Sequence, residues 1–216
     1  MLDDEDYIIE EKIIDMCGRY LNRLRAVYQS TGKRVAFYRG SPDKVMEGDI
    51  KTFQPRTKSM NTLQPIHEIS NEWFEYKFGI KARTDTLFVT SNKVQAKEYG
   101  FIHYIFPVGG FTTIHSDTYD DLFFKINNRE FKKILRKKGM DGEYTGNVIG
   151  KVAENDLELA KEIVYEILED GDYAKGKSSA ALLSGNEVML KTKQFIVVPY
   201  DDRFIEFMNT VVYTDD

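Results

Sequence analysis

The chain has 216 residues, 42% of them hydrophobic and 13% aromatic, with 14 Phe and 13 Tyr, which is enough to build a core and excludes the disordered class. With 30 Lys and Arg against 35 Asp and Glu, the formal net charge of −5 gives no general pull toward nucleic acid or anionic lipid. The length suits one domain, or one domain with a small extension.

The N-terminal stretch MLDDEDYIIEE is acidic and lacks the basic start and apolar run of a signal peptide. From residue 6 to residue 28, Ile9, Ile13, Cys17, Tyr20, Leu24 and Val27 recur in steps of three and four, which predicts an amphipathic helix. Cys17 is the one cysteine, so the chain closes no disulfide on itself and builds no cysteine-based zinc site. Its place on the apolar stripe predicts a buried thiol. Residues 1–30 read as a helical extension and 31–216 as the main domain.

RVAFYRG, residues 34–40, reads as a short strand ending at Arg39 and Gly40. Residues 41–64 are polar, carry two prolines and read as a long loop, a feature that is usually functional. PIHEISNEWFEYKFG, residues 65–79, reads as a helix with Pro65 in its first turn and Gly79 at its C-cap. A strand (86–91), a short helix (92–100) and a strand broken by a turn (101–111) follow. Residues 128–138 and 155–170 read as helices, and EVMLK, FIVVPY and FIEFMNTVVY as three late strands. Helices separate the strands irregularly, which predicts an α+β fold. No run of 18 apolar residues occurs, so no membrane span is expected, and the setting reads as soluble, reducing and cytoplasmic.

GDYAKGKS, residues 171–178, fits the phosphate-cradling pattern G-x-x-x-x-G-K-[ST] at every fixed position. That motif needs an apolar strand before its first glycine and several βα units after it. Here Leu159, Ile163, Val164, Ile167 and Leu168 give the preceding segment a helical period. Gly171 and Gly176 read as punctuation between a helix and the last strands, and Lys177 as no phosphate ligand. FKKILRKKG, residues 131–139, reads as a solvated helix face rather than a nucleic-acid patch. His67, His103 and His115 lack the spacing of a zinc helix, and no G-x-S-x-G elbow exists.

Three segments point to a site together. FYRG ends a strand at Arg39. LFVTSNKVQAKEYG, residues 87–100, is a strand ending in Thr90 and Ser91, followed by a short helix. SGNEVMLKTKQFIVV, residues 184–198, puts Glu187 at the mouth of a strand pair. In that order they resemble the ADP-ribosyltransferase fold family, in its arginine–serine–glutamate branch, over about residues 34–198. The resemblance implies an α+β fold of two packed, mostly antiparallel sheets flanked by helices, and NAD as substrate with no metal. It further implies transfer of ADP-ribose to a macromolecular acceptor, protein or nucleic acid. Arg39, beside Gly40, would grip an NAD phosphate through its planar fork. Thr90 or Ser91 would orient Glu187. Glu187 would hold the ribose 2′-hydroxyl and stabilise the positive charge developing at the sugar. Aromatic side chains would flank the nicotinamide, with Tyr38, Phe106 and Phe111 as candidates. Arg56 and Arg83 receive no role.

The pattern departs from the family in two places. The family's Ser-Thr-Ser is Val89-Thr90-Ser91 or Thr90-Ser91-Asn92 here, so the first-serine role falls to Thr90 or Ser91. Many members also carry Glu or Gln two residues before the catalytic glutamate, where this chain has Gly185. That second departure keeps two alternatives in view. One is a toxin-like NAD glycohydrolase using water, and the other a non-catalytic binding module on the same fold.

Overall fold

The computed structural model describes residues 4–56, 62–127, 129–140, 147–176 and 178–214. The chain divides into two units, one of residues 1–53, 87–115 and 176–216, the other of 54–86 and 116–175. The first unit opens with α1 (Asp4–Met16), α2 (Gly18–Thr31), β1 (Tyr38–Ser41) and β2 (Asp49–Thr52). The second unit begins with α3 (Gln64–Phe78) and α4 (Ala82–Asp85). The chain returns to the first with β3 (Leu87–Thr90), α5 (Lys93–Lys97), β4 (Phe101–Pro107) and β5 (Thr112–Ser116). The second unit resumes with α6 (Leu122–Asn127), α7 (Arg129–Lys137), α8 (Val148–Asn155), α9 (Leu157–Asp170) and β6 (Tyr173–Lys175). The first closes with α10 (Ser178–Ser184), β7 (Glu187–Lys191), β8 (Gln194–Pro199) and α11 (Asp202–Val211). The class is α+β, as the irregular alternation of strands and helices predicts.

Seven strands of the first unit follow the order β2-β8-β4-β1-β3-β7-β5, each antiparallel to its neighbours. Two sheets packed face to face were expected; these seven strands instead lie in one sheet. That sheet is nearly parted at β1 and β3. Those strands share a single register pair, Tyr38 with Thr90, whereas β1–β4 and β3–β7 share four each. Two half-sheets thus meet edge to edge at one rung.

The helical stripe of the N-terminal region is real, and every residue of it is buried. The helix breaks between Met16 and Gly18, where Cys17 leaves helical geometry at φ −110° and ψ 15°. Ile13, Cys17, Tyr20 and Leu24 join Phe37, Phe106, Val198 and Phe207 in one core. The described residues of this helical region, 4–30, fall in the same unit as the sheet. Tyr20 stacks on Phe37 with ring centroids 5.3 Å apart and meets Phe106 edge-on at 6.0 Å.

The sequence reading of other elements is revised in places. The stretch 34–40 pairs in the ladder only from Tyr38, although the Phe37 carbonyl still accepts from Ile105 N–H at 2.9 Å. The expected loop 41–64 contains β2, an edge strand whose residues are exposed or half-buried and so show no apolar alternation. FIEFMNTVVY is not a strand but largely α11. Asp201 caps that helix by accepting from Phe204 N–H at 3.1 Å, and Phe204, Phe207 and Met208 face inward at helical spacing. Its aromatic and β-branched content imitates a strand, but its period is helical.

In the second unit, α3 has proline in its first turn and ends at Gly79 in the left-handed region, as its sequence predicts. Trp73 Nε1 and Lys77 Nζ both donate to the Glu169 carboxylate, at 2.8 and 2.6 Å. Three lysines of α7 and the turn after it meet carboxylates. Lys133 pairs with Glu130, Lys137 with Glu166 and Lys138 with Glu162. Of GDYAKGKS, Gly171 follows α9 directly and β6 lies inside the motif, so the strand that a phosphate loop needs before its first glycine is replaced by a helix. Lys177 lies outside the described residues. Among the described residues no helix is long and apolar enough to cross a membrane.

Candidate active site

β3 and β7 run side by side with Thr90 directly opposite Glu187, and Tyr38 of β1 pairs with the other side of Thr90. Tyr104 of β4 extends the row. Paired residues of an antiparallel sheet face the same side, so Tyr104, Tyr38, Thr90 and Glu187 form one cross-strand row. The three segments singled out by sequence thus supply neighbouring strands, and Glu187, half-buried, opens its strand as expected.

α5 packs over this face. Asn92 caps it by accepting from Val94 N–H at 3.0 Å and Gln95 N–H at 3.4 Å. Gly40 lets it come close. A Cβ there would stand 1.9 Å from the Ala96 carbonyl oxygen and 2.7 Å from Tyr99 Cβ, so this position admits only glycine. That is a packing role, where the sequence had placed Gly40 beside a cofactor.

The two hydroxyls of the strand end have different jobs. Ser91 Oγ accepts from Gly185 N–H at 3.1 Å. Thr90 Oγ1 accepts from Asn92 N–H at 3.0 Å, donates to Gln95 Oε1 at 2.6 Å and lies 3.3 Å from the Gly185 carbonyl. Their bonds therefore hold the turn that launches β7 rather than the Glu187 carboxylate itself. Gly185 sits in that turn at φ +74°.

Arg39 follows Tyr38 by one residue, so alternation turns its Cβ to the face opposite Thr90 and Glu187. Its guanidinium Nη1 donates to the Phe88 carbonyl at 2.9 Å, across the place where the β1–β3 ladder stops. Burial lowers its pKa, yet an arginine keeps its charge, and four of its five N–H donors are not spent on that bond. Arg39 therefore laces the two half-sheets together.

The aromatic expectations divide. Phe106 is fully buried in the core, packed against Tyr20, Tyr104 and Phe207, so it cannot flank a ligand as expected. Phe111 meets Tyr20 edge-on. Tyr38 is buried within a tyrosine cluster, 5.3 Å from the Tyr104 ring and 5.8 Å from the Tyr200 ring. Tyr200 is half-buried, and its hydroxyl accepts from Lys93 Nζ at 2.9 Å. Gln95, Lys93 and Tyr200 join this bonding pattern without having been singled out from the sequence. The available signal was position: Lys93 and Gln95 lie within one helical turn of the Thr90–Ser91 pair.

The histidines lie elsewhere in the bonding pattern. His103 Nε2 accepts from Val45 N–H at 3.1 Å, and His67 shares a hydrogen bond of 3.2 Å with Thr84. Among the described residues no three His, Cys, Asp or Glu side chains gather as a metal site. No family model, no curated protein and no solved structure matches the chain.

Proposed function

We propose that the chain is an NAD-dependent mono-ADP-ribosyltransferase that passes ADP-ribose to a macromolecular acceptor. One observation carries this reading: Glu187 stands opposite Thr90, on a strand beside β3, which in turn adjoins the strand of Arg39. Three segments far apart in sequence lie on neighbouring strands, which supports this reading. On this reading the two half-sheets joined at Tyr38 and Thr90 take the place of the family's two sheets.

The chemistry asks little of the protein beyond charge and position. The bond between ribose C1′ and the nicotinamide nitrogen breaks, and nicotinamide leaves with the electron pair. The sugar passes through an oxocarbenium-like state, as in glycoside hydrolysis. An ionised Glu187 holds the ribose 2′-hydroxyl and faces the positive charge as it grows. The acceptor's nucleophile then bonds to C1′ and loses its proton. Arg39, turned to the other face of the sheet, serves this reading by holding β1 against β3 rather than by reaching the NAD phosphate.

Incubation of the purified chain with labelled NAD and a cell lysate is expected to release nicotinamide and to label an acceptor. Glu187→Gln abolishes both. Equal silence of wild type and variant across a broad panel of acceptors would overturn the reading. Gly185 favours water as a second acceptor. At φ +74° that position is suited to glycine, so it carries no side chain to activate an incoming nucleophile. Nicotinamide release with no labelled macromolecule would select that glycohydrolase reading.

A further inference from the structure

β2 ends the strand order, and among the described residues no strand lies on its other side. An edge of this kind holds a row of backbone groups ready for another chain. Two bonds show which groups those are. Phe53 N–H donates to the Lys193 carbonyl at 2.9 Å, so Phe53 turns its backbone groups toward the chain that enters β8. Antiparallel ladders alternate, so Asp49 and Lys51 also face β8, while Ile50 and Thr52 turn their amides and carbonyls outward. β8 agrees from its far side. Gln194, the register partner of Thr52, accepts there from Val108 N–H at 3.0 Å.

The side chains of this edge complement themselves. Asp49 and Lys51 share one face of the strand, 61% and 48% exposed, with 3.8 Å between Asp49 Oδ2 and Lys51 Nζ. Ile50 lies on the opposite face, partly buried against the core. We propose that β2 is a self-association edge, where two copies of the chain pair antiparallel about a twofold axis at Ile50. In that register Ile50 meets the partner's Ile50, and both present their backbone groups outward. Asp49 then lies opposite the partner's Lys51, and Lys51 opposite the partner's Asp49. These are non-hydrogen-bonded positions, where side chains come closer, and opposite charges attract across them. Moving the axis by one residue, to Asp49 or to Lys51, sets like charges face to face at the centre. The charges therefore select the register. A lone edge lysine resists pairing, but here Asp49 supplies its opposite. A twofold contact joins the same surface on both copies, so it closes at two and leaves neither β2 open. The inference is independent of the transferase reading.

The test follows mass by sedimentation of the full chain over a range of concentrations. So short a strand makes a small interface, and wild type is expected to pass from monomer to dimer between about 1 µM and about 1 mM. Asp49→Lys and Lys51→Glu each replace two attractions with two repulsions and are expected to weaken association roughly tenfold or more. Mixed together, the two variants are expected to form a heterodimer, because every position 49 again faces an opposite charge at position 51. Thr52→Pro removes an outward amide without touching the bonds to β8 and is expected to weaken the dimer as well.

A wild-type chain that stays monomeric at about 1 mM would overturn the proposal and leave the edge to an extended peptide of another protein. A dimer untouched by both charge variants would overturn it too, by placing the interface elsewhere. So would a mixture of folded variants that fails to pair. If Thr52→Pro does not fold, the two charge variants and their mixture decide the matter.

Discussion

Arg39 donates to the Phe88 carbonyl at 2.9 Å where the backbone ladder between their strands has stopped. A side chain makes the bond that an amide makes elsewhere in the sheet. The bond carries a charge and is half-buried, so its loss should be felt in stability. Arg39→Ala is expected to lower unfolding free energy by about 1.5–3 kcal/mol, the range for hydrogen bonds to charged groups. Urea denaturation measures it; an unchanged midpoint would refute the lacing role.

Two glycines should respond differently to alanine. At Gly40 the added methyl meets a backbone carbonyl oxygen at 1.9 Å, and α5 must move away. The cost is expected at the upper end of the 1–3 kcal/mol that overpacking brings. At Gly185 nothing lies within 4 Å of the new methyl, and the cost is the left-handed backbone alone, about 1–2 kcal/mol. Denaturation midpoints of the two variants should fall in that order, and the reverse order would contradict the close approach of α5.

Acid should destabilise the fold through two histidines. Burial lowers the pKa of His67, helped by the Arg83 and Arg56 guanidiniums, and burial also lowers that of His103. The unfolded chain then binds protons more readily than the folded one. The histidine contribution is therefore whole above the ordinary value near 6.5 and is lost as pH falls below it toward the lower folded values. In urea melts between pH 7.5 and 5, His67→Gln and His103→Gln should each flatten the slope. A slope unchanged in both variants would exclude this origin.

Cys17 should be chemically silent. Burial pushes its pKa to about 12, and its sulfur lies 3.7 Å from the Phe106 carbonyl. Thiolate is the reactive form, so a thiol reagent at pH 8 should modify the native chain at the rate of unfolding and label fully in denaturant. Fast labelling of native protein would place the thiol elsewhere.

How much of this was legible in the sequence depended on whether a signal was local. The stripe from Ile9 to Val27, the first-turn Pro65 and the Gly79 cap follow from spacing and backbone preference, and the structure holds all three. The class followed from element order. α11 was missed because Phe204, Phe207 and Met208 repeat at a helical period within a strand-like composition. β2 was missed because an edge strand has no buried face to alternate. For the candidate site, the sequence named segments that lie on neighbouring strands but not the contacts their residues make. Phe106 was expected beside a ligand because strand position alone does not say which aromatic faces outward. That Thr90 bonds Gln95, and that Arg39 turns to the other face, are matters of register and of rotamer. No single-residue pattern encodes them.

The lone rung between Tyr38 and Thr90 has a consequence for breathing motions. Elsewhere in the sheet, opening a strand means breaking several rungs together, but along this crease, among the described residues, β1 and β3 share one register pair, with the Arg39 side chain bonded across it. Local opening draws on the least protected parts of a structure. Backbone amides along the crease should therefore exchange with solvent sooner than those in the middle of the β4–β8 ladder. Anything that binds to both banks would close the crease and slow that exchange.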